Sequence, residues 1–146
     1  MTVYVDTSVL AAYYCPEPLS LVAERTLRSV TAPAISELTL AEFTSAVSRK
    51  IREKTLSRES GVRVMAQFEA HVEEGYYEML SLKARDYRLA RSWLGKFQGT
   101  LRTLDALHLS VAESAAASVL TADRRLAIEA RSLGLPVKLL TLGRVG

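Results

Sequence analysis

Four carboxylates stand at positions in this 146-residue chain where a plain globular sequence would more often place something else. Asp6 ends the apolar run Val3 to Val5 and is followed at once by Thr7 and Ser8, and Asp123 closes "SVLTAD" in the same manner. Glu42 lies beside Phe43 on the border of an amphipathic stripe. Asp105 sits among Leu101, Leu104, Ala106, Leu107 and Leu109, with little polar surface of its own. Brought within several ångströms, each close pair would repel by about 4 kcal/mol at an effective dielectric near 20. Several such pairs would rival the roughly 5–15 kcal/mol that holds a domain together. A cluster of this kind requires protons or a cation. Hard divalent ions such as Mg²⁺ or Mn²⁺ prefer oxygen ligands and are commonly held by a few carboxylates together with substrate phosphates. They polarise phosphoryl oxygens, supply hydroxide from water and stabilise a leaving alkoxide, so phosphodiester hydrolysis is the chemistry that suits the set.

Each acid also has a plainer use. Asp6 and Asp123 can cap the helices that follow them. Thr39 to Glu42 spells the capping box T-x-x-E. Asp105 can pair with Arg102 one turn earlier. Capping and chemistry can coexist on one residue, and the concurrence of all four is what favours chemistry.

The elements that must carry these residues follow from periodicity. Val3 to Val5 predicts a strand, with a helix through Ala11 and Tyr14 behind it. Pro16 and Pro18 break the pattern before a helix from about Leu19 to Ser29 and an extended segment Val30 to Ile35, where Pro33 predicts a poor central strand. Leu40, Phe43, Val47 and Ile51 predict a helix over roughly Leu40 to Lys54, with Glu42 in its first turn. Val64, Phe68 and Val72 predict another, starting near Ser57 and closed by Gly75. A strand over Tyr77 to Leu80, a helix bearing Tyr87, Ala90, Trp93, Leu94 and Phe97, and the apolar helix "LRTLDALHLSVAESAA" come next. Ser118 to Thr121 predicts a strand, "ADRRLAIEARSLG" a short helix closed by Gly134, and Val137 to Leu140 a last extended run. Short apolar strands between helices imply an α/β fold with a mostly parallel sheet and helices on both faces. In such sheets ligands bind beyond the carboxyl ends of the strands where the chain order reverses. Asp6 and Asp123 both belong at that edge, and helix starts would bring Glu42 and Asp105 toward it.

Composition sets outer bounds. Hydrophobic residues make up 49% and charged residues 24% of the chain, which is that of a globular protein expected to form one domain over residues 1–146. Cys15 is the only cysteine, so an internal disulfide is impossible, and with two histidines there is no zinc cage. A reducing cytoplasm is the expected setting. No apolar stretch approaches a membrane span and no targeting signal is read at the N-terminus. The net charge of +3 is compatible with a polyanionic partner. Basic residues follow Glu42 (Arg49, Lys50, Arg52, Lys54) and precede Asp105 (Arg85, Arg88, Arg91, Lys96, Arg102). They could line a nucleic-acid path, although such side chains on helix faces are usually just solvated. His108, one turn after Asp105, is expected to be packed or on the surface rather than to move protons.

The pieces "VYVDTSVLAAYY", "ISELTLAEFTSAVSRK", "LRTLDALHLSVA" and "VLTADRRLAIEARSLG", taken in order, resemble the PIN-domain nucleases, and within them the VapC toxins of toxin-antitoxin pairs. The resemblance spans essentially the whole chain. It implies a three-layer fold with a central sheet of four to five strands. It also implies an acidic quartet, Asp6, Glu42, Asp105 and Asp123, that binds Mg²⁺ or Mn²⁺ and cleaves RNA. Ser8 and Thr121 match hydroxyl positions that help order such sites. Arg125 departs from the pattern, since some relatives carry another acid there, which bears on a second metal position. The family further implies a homodimer silenced by a small VapB-like antitoxin. The alternative is a PIN-like module that binds RNA or protein and no longer cuts. Dinucleotide and P-loop readings fail because no glycine-rich turn follows a strand.

Overall fold

The computed structural model describes residues 1–143. Along them run β1 (Val3–Val5), α1 (Thr7–Tyr14), α2 (Ser20–Ser29), β2 (Pro33–Ser36), α3 (Glu37–Arg52) and α4 (Arg58–Glu73). The chain continues through β3 (Glu78–Leu80), α5 (Ala84–Leu94), α6 (Thr103–Ser114), β4 (Ser118–Thr121), α7 (Arg124–Ser132) and β5 (Val137–Leu139). None of these helices is long and apolar enough to cross a membrane.

The strands form one sheet in the order β3-β2-β1-β4-β5, and every neighbouring pair is parallel. The chain fills one side of β1 with β2 and β3, then crosses to the other side for β4 and β5. The order therefore reverses between β1 and β4, whose register pairs Val5 with Leu120. That reversal opens a crevice at the carboxyl ends of these two strands.

Alternation along the strands separates two cores. Val5, Ile35 and Leu120 pack with Val9, Leu10, Phe43, Val47 and Phe68, beneath α1, α3 and α4. Tyr4 and Val119 point the other way, toward Leu109, Val111 and Ala112 of α6 and Leu126 and Ala130 of α7. Successive strand side chains face opposite sides, so the sheet has a helical layer on each face. Gly75 and Gly134 close α4 and α7 at φ of 78° and 80°, a left-handed conformation that a side chain disfavours.

Three local expectations change. Phe97 lies beyond its expected helix, because α5 ends at Leu94. β2 is an interior strand despite Pro33. The proline is its first residue, where the missing N–H removes little from the ladder. Helix α3 starts three residues earlier than periodicity suggests, because Ser36 caps it. The Ser36 hydroxyl accepts from the Thr39 N–H, and the Thr39 hydroxyl accepts from the Ser36 N–H. The box is therefore Ser36–Thr39, and Glu42 stands in the second turn, free of capping duty.

Phe43 is fully buried and packs edge-on against Phe68, with ring centroids 4.6 Å apart. Phe43→Ala is expected to destabilise the fold by about 3–5 kcal/mol, the usual range for emptying a buried phenylalanine site. Urea unfolding followed by circular dichroism measures this directly.

Candidate active site

Asp6 ends β1 at the crevice. Its backbone amide donates to the Leu120 carbonyl at 2.9 Å and its carbonyl starts α1, yet its carboxylate makes no capping bond. Instead Oδ2 accepts from the Ser8 hydroxyl at 2.6 Å and from the Thr121 hydroxyl at 2.9 Å. The side chains that bond this acid are thus those of Ser8 and Thr121, one from α1 and one from β4. Asp6 is 8% exposed and has no ion pair among the described residues. Burial pushes its carboxyl pKa upward, against the lowering effects of the Ser8 bond, nearby His108 and the Thr121 bond, while Glu42 adds repulsion.

Glu42 comes to the same side from α3. Its Oε1 accepts from the Thr7 hydroxyl at 3.3 Å and from Nε2 of His108 on α6. The other nitrogen of the imidazole, Nδ1, lies 2.6 Å from the Tyr4 hydroxyl. A carboxylate only accepts, so Nε2 carries the proton toward Glu42 and, in the neutral ring, Nδ1 accepts from Tyr4. Burial holds the Tyr4 phenol far above its ordinary range, so it keeps the proton it donates. The Tyr4 oxygen also meets the hydroxyls of Ser36 at 2.8 Å and Thr39 at 3.1 Å. His108 is packed, and its packing orients Glu42.

Asp105 and Asp123 share a different neighbour. Asp105 is the third residue of α6, and its Oδ2 accepts from the Arg102 backbone N–H at 3.2 Å. Its ion pair is with Arg125 rather than with the Arg102 side chain, and Arg125 Nη2 lies 2.8 Å from the same oxygen. That nitrogen is 3.9 Å from Asp123 Oδ2, and the carboxylates hold the Arg125 guanidinium still more firmly protonated. Asp123 does cap its helix, since Oδ1 accepts from the amides of Arg125 and Leu126. Its own amide donates to Thr121 Oγ1 at 3.0 Å, so Thr121 links Asp123 to Asp6 across the crevice.

The four predicted acids thus fall into two halves, Asp6 with Glu42 and Asp105 with Asp123, linked through Thr121. Among the described residues, no three His, Cys, Asp or Glu side chains are set closely enough to enclose a metal ion. The donor chemistry nevertheless suits a hard cation. Every acid offers carboxylate oxygens, and the two side-chain bonds to Asp6 both fall on Oδ2, leaving Oδ1 without one. Tyr4 and Thr7 were not singled out by sequence reasoning. Tyr4 looks like one more apolar residue in its strand, although a hydroxyl in a fully buried run always needs a partner. Of the basic residues, Lys50 is committed to Glu17 at 2.6 Å.

A family model described as PIN domain matches residues 3–130 of the chain. No curated protein matches it in sequence. Similar solved structures include VapBC2 from Rickettsia felis bound to a promoter DNA fragment, at 19% identity and a TM-score of 0.66, covering 97% of this chain and 100% of that one. VapC20 from Mycobacterium tuberculosis, described as a sarcin-ricin loop cleaving toxin, aligns at 18% identity and TM-score 0.68 over 91% of this chain and 95% of that one. DNA-bound VapBC from Salmonella typhimurium aligns at 18% identity and TM-score 0.67, over 97% and 99% of the two chains. At these identities the likeness is one of fold.

The raised Asp6 pKa has a definite sign. A carboxyl whose folded pKa exceeds its unfolded value stabilises the fold below the unfolded pKa and loses that contribution as pH rises through the folded one. At pH 7 in chelator, Asp6→Asn is therefore expected to melt about 2–4 °C above wild type, the shift that roughly 1 kcal/mol gives in a domain of this size. The gain should vanish below about pH 4, where an unperturbed aspartate is itself protonated. Melting curves across pH measure both.

Proposed function

We propose that this chain, which belongs to the PIN domain family, is a Mg²⁺- or Mn²⁺-dependent endoribonuclease and the toxin of a toxin-antitoxin pair. The observation that carries the reading is Asp6. It is a nearly buried carboxylate at the topological switch point, held by two hydroxyls and paired with no cation among the described residues. An ionised group in that state calls for a positive partner from outside the chain.

Asp6 and Glu42 on one side, with Asp105 and Asp123 on the other, would hold the ion. When bound, it supplies Lewis-acid polarisation of the scissile phosphoryl group and an acidified water. The chain's own residues prepare the place. Ser8 and Thr121 fix the Asp6 carboxylate, and Tyr4 fixes the His108 ring that orients Glu42. Because these supports sit on β1, α1, α6 and β4, the carboxylates are held by rigid elements rather than by loops. Exposed Arg49, Arg52, Arg85, Arg88, Arg91 and Arg102 offer positive charge for the phosphate backbone, which gives affinity without choosing sequence.

The toxin assignment draws on the solved relatives, which are VapC and VapBC proteins, and on the full-length match of fold. It brings with it a VapB-like antitoxin as partner and a homodimer as the working assembly, in the cytoplasm. The rival is a PIN-fold module that binds RNA or protein without cutting it.

The deciding experiment incubates purified protein with a structured RNA pool and Mg²⁺ or Mn²⁺. Cleavage is expected to stop with chelator and to fall by about 100-fold or more in Asp6→Asn and Asp105→Asn, the scale on which one transition-state charge stabiliser acts. Binding of the pool without any cleavage by wild type, whichever metal is supplied, would move the silent module ahead.

A further inference from the structure

Arg125 occupies a position that deserves a role of its own. Its Nη2 lies 2.8 Å from Asp105 Oδ2 and 3.9 Å from Asp123 Oδ2, so one cationic nitrogen already sits between these two carboxylates. Its Nη1 donates to the Thr100 carbonyl at 3.0 Å. Thr100 is itself fastened, because its amide and hydroxyl both donate to Glu129 Oε1, at 2.8 and 3.0 Å. Arg125 and Glu129 stand one turn apart on α7, and together they clamp the segment before α6. The guanidinium is thereby gripped by a carboxylate on one edge and a carbonyl on the other. Lysine, with a single point charge, could not span both.

The two halves of the acidic edge are unequal in consequence. Asp105 Oδ2 is committed twice, to the Arg102 amide and to Arg125. Asp123 spends Oδ1 on the first turn of α7. Asp6, by contrast, meets only hydroxyls, and no arginine or lysine pairs with Glu42 among the described residues. A divalent ion arriving between Asp105 and Asp123 would displace a hydrogen-bonded guanidinium or sit against its like charge. One arriving at Asp6 meets no arginine or lysine pair there among the described residues, and beside Glu42 only the His108 imidazole.

We propose that Arg125 is the built-in counter-cation between Asp105 and Asp123, so that this chain takes a single divalent ion, anchored at Asp6, and no second ion between those two acids. It is a specificity-determining residue for metal number, and the inference rests on the metal-site reading above. A second ion becomes possible only when the guanidinium is removed. Arg125 also ties occupancy of the acidic edge to the seating of Thr100, so releasing the arginine frees that segment as well.

The test is a Mn²⁺ titration of the whole chain by calorimetry, with bound ions counted independently by electron paramagnetic resonance. Wild type is expected to bind one ion. Arg125→Gln is expected to bind two, the second at least about tenfold tighter than any second event in wild type, the scale on which one adjacent charge shifts an ionic equilibrium. Arg125→Lys retains the charge and should stay at one ion, which separates charge from loss of fold. In chelator, Arg125→Gln should melt below wild type and recover by a larger increment when Mn²⁺ is added. Equal counts in wild type and Arg125→Gln, or two ions of similar affinity in wild type, overturn the assignment of Arg125 alone. Absence of Mn²⁺ binding by all three proteins overturns it together with the metal-site reading.

Discussion

Seating a carboxylate at the carboxyl end of a central strand is the demand around which this molecule is arranged. Asp6 is largely buried and has no ion pair among the described residues, and an isolated buried charge is among the most unfavourable things a fold can contain. Two hydroxyls reduce that penalty without cancelling it, while Glu42 adds to it. Thr121 reaches across from β4 and Ser8 folds back from α1, and both give their protons to the same oxygen. An all-parallel sheet makes this possible, because β1 and β4 finish side by side and release their last residues into the same crevice.

A second layer of polar order lies under Glu42. Tyr4, Ser36, Thr39 and His108 are all buried, and each finds partners within the set. No buried side-chain nitrogen or oxygen among the described residues lacks a hydrogen bond. Such a network favours one arrangement strongly, because shifting any member strands another in a low-dielectric interior. Ser36 serves twice, capping α3 and meeting Tyr4, so the start of the helix and the ring of His108 are set by one hydroxyl.

The architecture was legible because its signals are local. Branched residues at Val3 to Val5 and Ser118 to Thr121, the four-residue repeat through Phe43, Val47 and Ile51, and Gly134 after α7 all point to the observed elements. The family likeness supplied the three-layer arrangement, and the sheet proved stricter than expected, with every pair parallel. Less legible were features decided by distant partners. Pro33 argues against an interior strand only if its position within the strand is unknown. The T-x-x-E pattern at Thr39 competed with Ser36 for the same helix start, and Ser36 won because its hydroxyl bonds the third amide of the helix. Arg125 was visible as a departure from the family pattern. That it would take Asp105 away from Arg102 depends on α6 and α7 meeting in space, about which spacing along the chain is silent.

The two strands at the ends of the sheet, β3 and β5, are only three residues long. Each carries an exposed charge, Glu78 in one and Lys138 in the other. Short, charged margins make poor templates for adding another chain's strand. A protein with an open five-stranded sheet is thereby guarded against growing into a ribbon of stacked copies.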